Sequence, residues 1–427
     1  MSPISRPRGT EDLLPDRLAA MARATEVGMR VASSFGYRQI ATPIFEATEL
    51  FTRGVGDTTD VVRREMYTFP DRSGRSLTLR PESTAPVLRA FGESSLRELP
   101  PPVRLSYAGP MFRYDRPGRG RYRQFHQFGV EAVGDGEAEL DAEVIAVAWD
   151  WLSELGLGGI SLQLNSIGDA QCRPAYRQAL LDHFAPHLAQ LPELDRARLG
   201  RNPLRILDSK EPGTEELMAT APRTLDFLCE DCRDAVERVQ SALRAYHIPF
   251  ELNPRLVRGL DYYVRTTFEV WHEDLLGAQN ALFGGGRYDG LSELLGYPAA
   301  PGVGFAAGLE RVVMLAPPGP SLAPPQVVVC SAQPTAVPLA IDLAQKLRRD
   351  GLTVLSDVGR RSLKGKMRAA ERSGAGAVGL VGDEEVKAQR VTLRRLSTGE
   401  QLTVRPEEVS VQVREWEQAT DGGEVHS

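Results

Sequence analysis

The chain has 427 residues, 42% hydrophobic and 25% charged, which fits an ordinary globular protein of two or three domains; no run of 18 apolar residues exists to span a bilayer. A formal net charge of −6 excludes a non-specific nucleic-acid coat, so any nucleic acid must meet local basic patches, for which Arg113–Arg123 and Arg360–Arg372 are the two candidates. Four cysteines make no disulfide framework at this length, and the start MSPISRPRGTEDLLP lacks an apolar secretory core, so a reducing cytoplasm is expected.

After a turn-rich lead-in, Leu18, Met21, Val27 and Val31 fall at helical spacing and predict an amphipathic helix from Asp16 to Phe35, ended by Gly36. Tyr37–Glu46 reads as a strand interrupted by Pro43, at an edge or a bulge. Met66–Phe69 and Ser76–Arg80 form a hairpin around Asp71–Gly74. Ser83 or Thr84 is placed to cap a helix through Val87–Phe91, and Glu82 has two readings: a first-turn carboxylate on the helix dipole, or a carboxylate for a substrate ammonium.

The stretch around which the rest is organised is Phe112–Glu131, FRYDRPGRGRYRQFHQFGVE, a strand–loop–strand hairpin broken by Pro117, Gly118 and Gly120. Alternation on the returning strand puts Arg123, Phe125, Gln127, Gly129 and Glu131 on one face and Tyr122, Gln124, His126, Phe128 and Val130 on the other. An inward polar row of this kind suits a ligand that is itself charged and polar.

Glu137–Leu155 predicts a surface helix covering a sheet, and Ile160–Ile167 a strand. From Asp169 to about Tyr246 the pattern turns helical, punctuated by Pro and Gly, as an insertion in the core would be. Within it Cys229 and Cys232, with His183 and His187, have the ligand types of a Cys2His2 zinc site. Pro186 lies within the histidine pair, the pairs are far apart and the spacing is atypical, so ordinary helix positions are the reading taken and no metal is expected. Thr266–Trp271 reads as a strand. Ala281–Leu291 reads as strand, glycine turn and helix, and Gly284–Gly286 allow backbone to come close to a ligand or a neighbouring strand. The pattern does not match G-x-G-x-x-G, so a dinucleotide fold is not indicated. Pro301–Arg311 is a small-residue strand opening a helix over Leu309–Leu315.

Ala316–Pro325 is a proline-rich boundary. Beyond it strands at 326–330, 352–355, 377–381 and from 391 alternate with helices at 336–349 and 363–373, a small α/β domain at 326–414, with residues 415–427 as a flexible tail. Gly359–Met367 has the wrong spacing and ending for a phosphate loop. Arg360, Arg361, Lys364, Lys366 and Arg368 are candidates to meet RNA phosphates.

Three segments together carry a resemblance: Phe112–Glu131, Arg258-Gly-Leu-Asp-Tyr-Tyr263, and Phe283-Gly-Gly-Gly-Arg-Tyr-Asp-Gly290. The first is similar to motif 2 of a class II aminoacyl-tRNA synthetase, and the other two resemble the histidine-specific motifs of the bacterial histidyl-tRNA synthetases. Residues 16–46 resemble motif 1, the dimer interface, and Pro301–Arg311 motif 3; the likeness runs from residue 4 to about 414. It implies an α+β catalytic core over 1–325, an antiparallel sheet flanked by helices with the helical insertion near the tRNA acceptor stem, and a C-terminal α/β anticodon-binding domain. It implies a cytoplasmic homodimer acting on L-histidine, ATP with Mg2+ and tRNA(His), with no bound organic cofactor and no membrane.

The resemblance also distributes roles. Arg113 clamps the α-phosphate, Arg258 takes its opposite side in place of a metal, and Arg311 with Arg121 serves ATP. Glu82, Ser83, Thr84 and Gln127 hold the histidine amino end. Glu131 and Tyr263 pair the imidazole nitrogens, and Tyr262 and Tyr288 line that pocket. Arg116 and Arg119 on the loop reach the tRNA. Position 118 is glycine where relatives usually carry a longer side chain, leaving open which loop residue reads the extra 5′ nucleotide; Ser209 stands where many relatives have cysteine. Two other readings share the fold: an inactive regulatory subunit of ATP phosphoribosyltransferase, which lacks the anticodon domain and the Arg258 equivalent, and an uncharged-tRNA sensor, usually fused to an effector domain.

Overall fold

The computed structural model describes residues 3–421 apart from 57, 58, 60, 210, 261, 276–280 and 320–322. Asp261, the middle of the proline-rich boundary and the end of the expected tail lie outside the described residues. The chain divides into two compact units between Gly319 and Pro320.

The first unit starts with α1 (Pro15–Ser34), which takes proline at its first position, where the absent N–H costs no helical bond. β1 (Arg38–Gln39) and β2 (Phe45–Ala47) follow. The single interrupted strand expected at 37–46 is two strands in two different sheets, because Pro43 cannot donate to a ladder and the chain changes sheet there. Then come α2 (Thr48–Gly54), β3 (Tyr67–Pro70), β4 (Ser76–Leu79), α3 (Thr84–Glu93), β5 (Val103–Phe112), β6 (Gln124–Val133), α4 (Ala138–Glu154) and β7 (Ile160–Ser166). A helical segment holds α5 (Arg173–Phe184), α6 (Glu193–Arg201) and α7 (Pro212–Met218). The unit ends with α8 (Glu230–Ala245), β8 (Glu251–Leu252), β9 (Val264–His272), β10 (Ala281–Arg287), α9 (Leu291–Leu294), β11 (Gly302–Gly308) and α10 (Leu309–Leu315).

Eight strands form one sheet in the order β1-β5-β6-β11-β10-β9-β7-β8. The six inner strands are antiparallel, and the two edge pairs, β1/β5 and β7/β8, are parallel. β2-β4-β3 make a small antiparallel sheet beside it. The main core lies between the large sheet and the helices α1, α4 and α8. Phe128 meets Trp151 edge-on at 4.7 Å and Phe305 at 5.9 Å, and the Trp151 indole donates to the Ala24 carbonyl.

Two expectations change here. α4 is not a surface helix: its Asp141, Val144, Ile145 and Trp151 are buried, since α1 and α8 cover it. α8 packs its Ala235, Val239 and Leu243 into this same core, whereas Tyr176, Leu180, Phe184 and Ile206 of the preceding segment form a separate core of their own. Within that segment Ser209 donates to the buried Asp195 carboxylate at 2.5 Å, a bond that a thiol would make poorly.

The second unit runs β12 (Val327–Ser331), α11 (Val337–Arg349), β13 (Val354–Asp357), α12 (Leu363–Arg372), β14 (Ala377–Val381), α13 (Asp383–Ala388), β15 (Val391–Arg395), β16 (Gln401–Val404) and α14 (Val409–Asp421). Its sheet has the order β13-β12-β14-β15-β16, parallel across the first three strands and antiparallel beyond. Residues 415–421, expected in a loose tail, belong to α14, because Val409, Val413 and Trp416 fill the apolar face of that helix against the sheet. Among the described residues no helix is long and apolar enough to cross a membrane.

Candidate active site

The large sheet carries a cleft of about 420 Å³, in the size range of small-molecule sites. Of the residues singled out in the sequence, Glu82, Thr84, Arg113, Arg121, Gln127, Arg258, Tyr262, Tyr263 and Arg311 line it. Strand pleating explains the selection from β6: Phe125 and Gln127 face the cleft while Phe128 and Val130 sit in the main core.

Glu82 satisfies both of its readings in one geometry. It lines the cleft, and its carboxylate caps α3 by accepting the N–H of Thr84 at 2.7 Å and of Ala85 at 3.0 Å. Neither Ser83 nor Thr84 caps that helix with its side chain: the buried Ser83 hydroxyl faces the Met111 sulfur, and the Thr84 hydroxyl donates to Glu131. Burial raises the Glu82 pKa against these bonds.

Glu131 is fully buried and lies behind the cleft wall with Tyr288. It accepts three hydroxyls: Thr84 at 2.8 Å and Tyr107 at 3.1 Å on one oxygen, Tyr288 on the other. Burial pushes its pKa up to about 8 despite these donors, and the neighbouring Glu82 charge adds to the rise. Tyr262 stacks obliquely on Tyr263 at 4.6 Å and edge-on to Tyr288 at 5.8 Å, so the three rings form one packed group.

Arg113, Arg121, Arg258 and Arg311, with Arg205, give the cleft its positive charge. Arg113 donates from Nε to the Pro81 carbonyl at 2.8 Å, which holds its guanidinium 5.3 Å from the centre of the Phe125 ring. Arg258 pairs with Glu269, which also accepts the Trp271 indole. Arg311 is anchored to the Ala281 carbonyl at 2.7 Å; burial and the like charge of Arg121 depress its pKa. Arg121 is held by Asp115 at 2.9 Å. Like charges gathered in one cleft are costly unless an anion joins them. Arg116 and Arg119 stand exposed on the loop between β5 and β6. Gly118 has open space around it, whereas a Cβ on Gly120 would lie 3.0 Å from Arg311 Cγ, so the loop tip rests on Arg311.

The expected glycine turn is absent. Gly284–Gly286 run straight through β10, and they are glycine for close approach: added Cβ atoms would meet Arg258 Nη1 at 2.4 Å, the Gly304 carbonyl oxygen at 2.2 Å and Tyr263 Cδ1 at 2.9 Å. At the end of that strand Arg287 is buried and bonds Asp141, Asp289 and the carbonyls of Asp135 and Glu137.

Sequence reasoning missed Glu310. Its carboxylate accepts the His126 backbone N–H at 2.9 and 3.0 Å and meets His126 Nδ1 at 2.9 Å, tying α10 to the returning hairpin strand. Its place beside Arg311 was the available signal. Arg205, read as part of the insertion, reaches the cleft and donates to the Gly259 carbonyl at 3.1 Å.

A six-strand antiparallel platform with an arginine-bearing hairpin and a helix-borne arginine, joined to a separate α/β unit, is the architecture of a class II aminoacyl-tRNA synthetase. The family profile "Histidyl-tRNA synthetase" matches residues 9–312 and "Anticodon binding domain" matches 326–416. Curated relatives named histidine–tRNA ligase include one from Pelotomaculum thermopropionicum, 47% identical over 96% of this chain and 97% of its own, and one from Desulforudis audaxviator, 49% identical over 96% and 98%. The crystal structure of apo S. aureus histidyl-tRNA synthetase superposes with a TM-score of 0.80 at 36% identity, covering 96% of this chain and all of that one. The chain belongs to the histidyl-tRNA synthetase family.

Proposed function

We infer that this chain is a histidine–tRNA ligase, which condenses L-histidine with ATP to histidyl-adenylate and pyrophosphate and passes histidine to the 3′ end of tRNA(His). Support over the regulatory-subunit reading comes from the second unit's match to an anticodon-binding domain, from ligase-named relatives at nearly full coverage, and from Arg258 being present. A solved chain described as an ATP phosphoribosyltransferase regulatory subunit/histidyl-tRNA synthetase is 24% identical and shares the fold alone.

The observation that carries the site assignment is a pair of buried polar atoms on cleft residues, Gln127 Oε1 and Arg258 Nε, neither with a hydrogen-bond partner among the described residues. A buried donor and a buried acceptor without partners are unfavourable in a static fold and suit a ligand carrying groups of both kinds. Gln127 and Glu82 take the substrate ammonium. Glu131 and Tyr263 take the imidazole nitrogens, with Tyr262 and Tyr288 shaping that end. The histidine carboxylate attacks the α-phosphorus; an O–P bond forms and the bond to pyrophosphate breaks. Arg113 and Arg258 sit on the two sides of the α-phosphate as its charge builds, and Arg311 and Arg121 hold the β,γ end of ATP, which enters as its Mg2+ complex. Arg116 and Arg119, exposed on the loop, reach the acceptor end of the tRNA. The protein works in the cytoplasm as a homodimer through α1 and the strands after it.

Histidine-dependent exchange of pyrophosphate into ATP tests this reading. The wild type exchanges, and Arg258→Ala loses about two orders of magnitude while still binding histidine, as removal of one preorganised donor does elsewhere. A folded wild type that binds histidine without exchange overturns the ligase reading.

A further inference from the structure

The ligand atoms of Asp169, Cys172, Cys229 and Cys232 all lie within 4.8 Å of one another, and this is the group with metal-ligand chemistry among the described residues. The histidines considered with Cys229 and Cys232 in the sequence are not part of it; His183 is bonded to the Leu217 carbonyl instead. The separations are informative. Cys172 Sγ lies 3.8 Å from Cys232 Sγ and 3.4 Å from Asp169 Oδ1, and Cys229 Sγ lies 3.8 and 3.9 Å from the two Asp169 oxygens. A tetrahedron with metal–sulfur bonds of about 2.3 Å and metal–oxygen bonds of about 2.0 Å has edges of roughly 3.5–3.8 Å, so the four groups stand close to the corners that zinc requires.

The backbone supports the same arrangement. Each half is a two-residue-spaced pair on a turn that opens a helix: Asp169-x-x-Cys172 before α5, and Cys229-x-x-Cys232 at the start of α8. The Asp169 N–H points at Cys172 Sγ at 3.2 Å, and the Asp169 carboxylate is oriented by the Gln171 N–H at 3.0 Å. Such second contacts orient ligands and offset thiolate charge. Two helix N-termini and Arg265, 3.6 Å from Asp169, supply further positive field. Leu228 packs with Cys172 and Cys232 and closes the cluster on its apolar side.

We propose that Asp169, Cys172, Cys229 and Cys232 form a closed structural site for one thiophilic divalent cation, zinc in the first place. Three thiol protons leave as the metal binds, so the site carries three thiolates and one carboxylate. The bound ion clamps the two ends of the inserted helices together, joining the chain after β7 to the start of α8. The clamp sits near the histidine pocket. Gly168 accepts the Arg265 N–H at 2.8 Å, and Arg173 donates to the Tyr263 carbonyl.

Metal content and Co2+ absorption of the reduced full-length protein test the proposal without reference to its activity. The expected result is one zinc per chain, and, after exchange into Co2+, thiolate-to-metal charge-transfer absorption. Cys229→Ser, with its partly exposed side chain, loses the zinc; Asp169→Asn weakens Co2+ affinity by more than the roughly 10–100-fold that losing an outer partner costs. Asp169→Cys retains the metal and strengthens the charge-transfer band. Protein that takes up no stoichiometric metal from zinc- or cobalt-containing buffer, with all four thiols free to titrate, overturns the proposal. So does a Cys172–Cys232 disulfide that persists in reduced, metal-supplemented protein, or metal uptake that is indifferent to Cys229→Ser and Asp169→Asn together.

Discussion

The Thr84 hydroxyl donates to the Glu131 carboxylate at 2.8 Å across 47 residues of sequence, joining the first residue of α3 to the last part of β6 beneath the cleft. That bond places an ionisable group, fully buried, where three hydroxyls converge and Glu82 stands near. Burial and the nearby Glu82 charge outweigh the three hydroxyl donors and raise its pKa to about 8, which favours the protonated form at neutral pH.

Stability follows from this titration. Glu131 ionises at about 8 in the fold and near 4.5 in the unfolded chain, so between those values the native state holds the extra proton and stability falls as pH rises. The contribution is whole below about 4.5 and lost above about 8. Glu131→Gln is expected to flatten that part of the profile by on the order of a few kcal/mol. Denaturant midpoints of both proteins between pH 5 and 9 read it directly; parallel profiles would show that Glu131 titrates normally.

Gly284→Ala is expected to remove activity through Arg258. The added methyl carbon would lie 2.4 Å from Arg258 Nη1 and 2.7 Å from the Phe268 carbonyl oxygen. The backbone oxygen cannot yield, so the guanidinium is displaced from its pairing with Glu269. Pyrophosphate exchange should fall by about 100-fold, as for loss of one preorganised donor, with little change in the salt dependence of tRNA binding. Exchange within a factor of about three of wild type would exclude a positioning role for this close approach.

Why some of this was legible in the sequence and some not follows from the range of each interaction. Alternation along 122–131 is local, so the split between cleft-facing Gln127 and core-facing Phe128 could be read directly. The three glycines of β10 were visible, but not their neighbours: Arg258, Tyr263 and Gly304 arrive from other segments. A turn and a crowded strand look alike until the partners are known. Pro43 signalled an interruption without telling that the chain changes sheet. Glu131's three hydroxyl partners come from α3, β5 and the end of β10, and Asp169 and Cys172 stand about sixty residues from the cysteines they meet. Such convergences are properties of the folded chain.

Arg287 and Asp141 form a buried pair, each 1% exposed, and Arg287 also bonds Asp289 and two carbonyls at the turn before α4. Removing one partner leaves an uncompensated charge, so Asp141→Ala is expected to destabilise the first unit by about 3–5 kcal/mol. Asp141→Asn keeps an acceptor and should lose less. Urea unfolding orders the two variants; equal and small effects would mean that Arg287 is satisfied by its other partners.

Lys366 shows how an apparent basic patch divides once the fold is known. The sequence offers it with Arg360, Arg361, Lys364 and Arg368 as a phosphate contact, yet it is 2% exposed and donates to the Ser331 carbonyl at 2.7 Å. The apolar side of α12 faces its own sheet, and Lys366 lies on that side; Arg360, Lys364 and Arg368 remain exposed. Lys366→Met should therefore leave the salt dependence of tRNA binding unchanged. Lys364→Ala or Arg368→Ala, if either touches a phosphate, lowers the slope of log K against log salt by about one. Filter binding over a range of KCl separates the cases, and a lowered slope for a folded Lys366→Met would place its ammonium on the RNA instead.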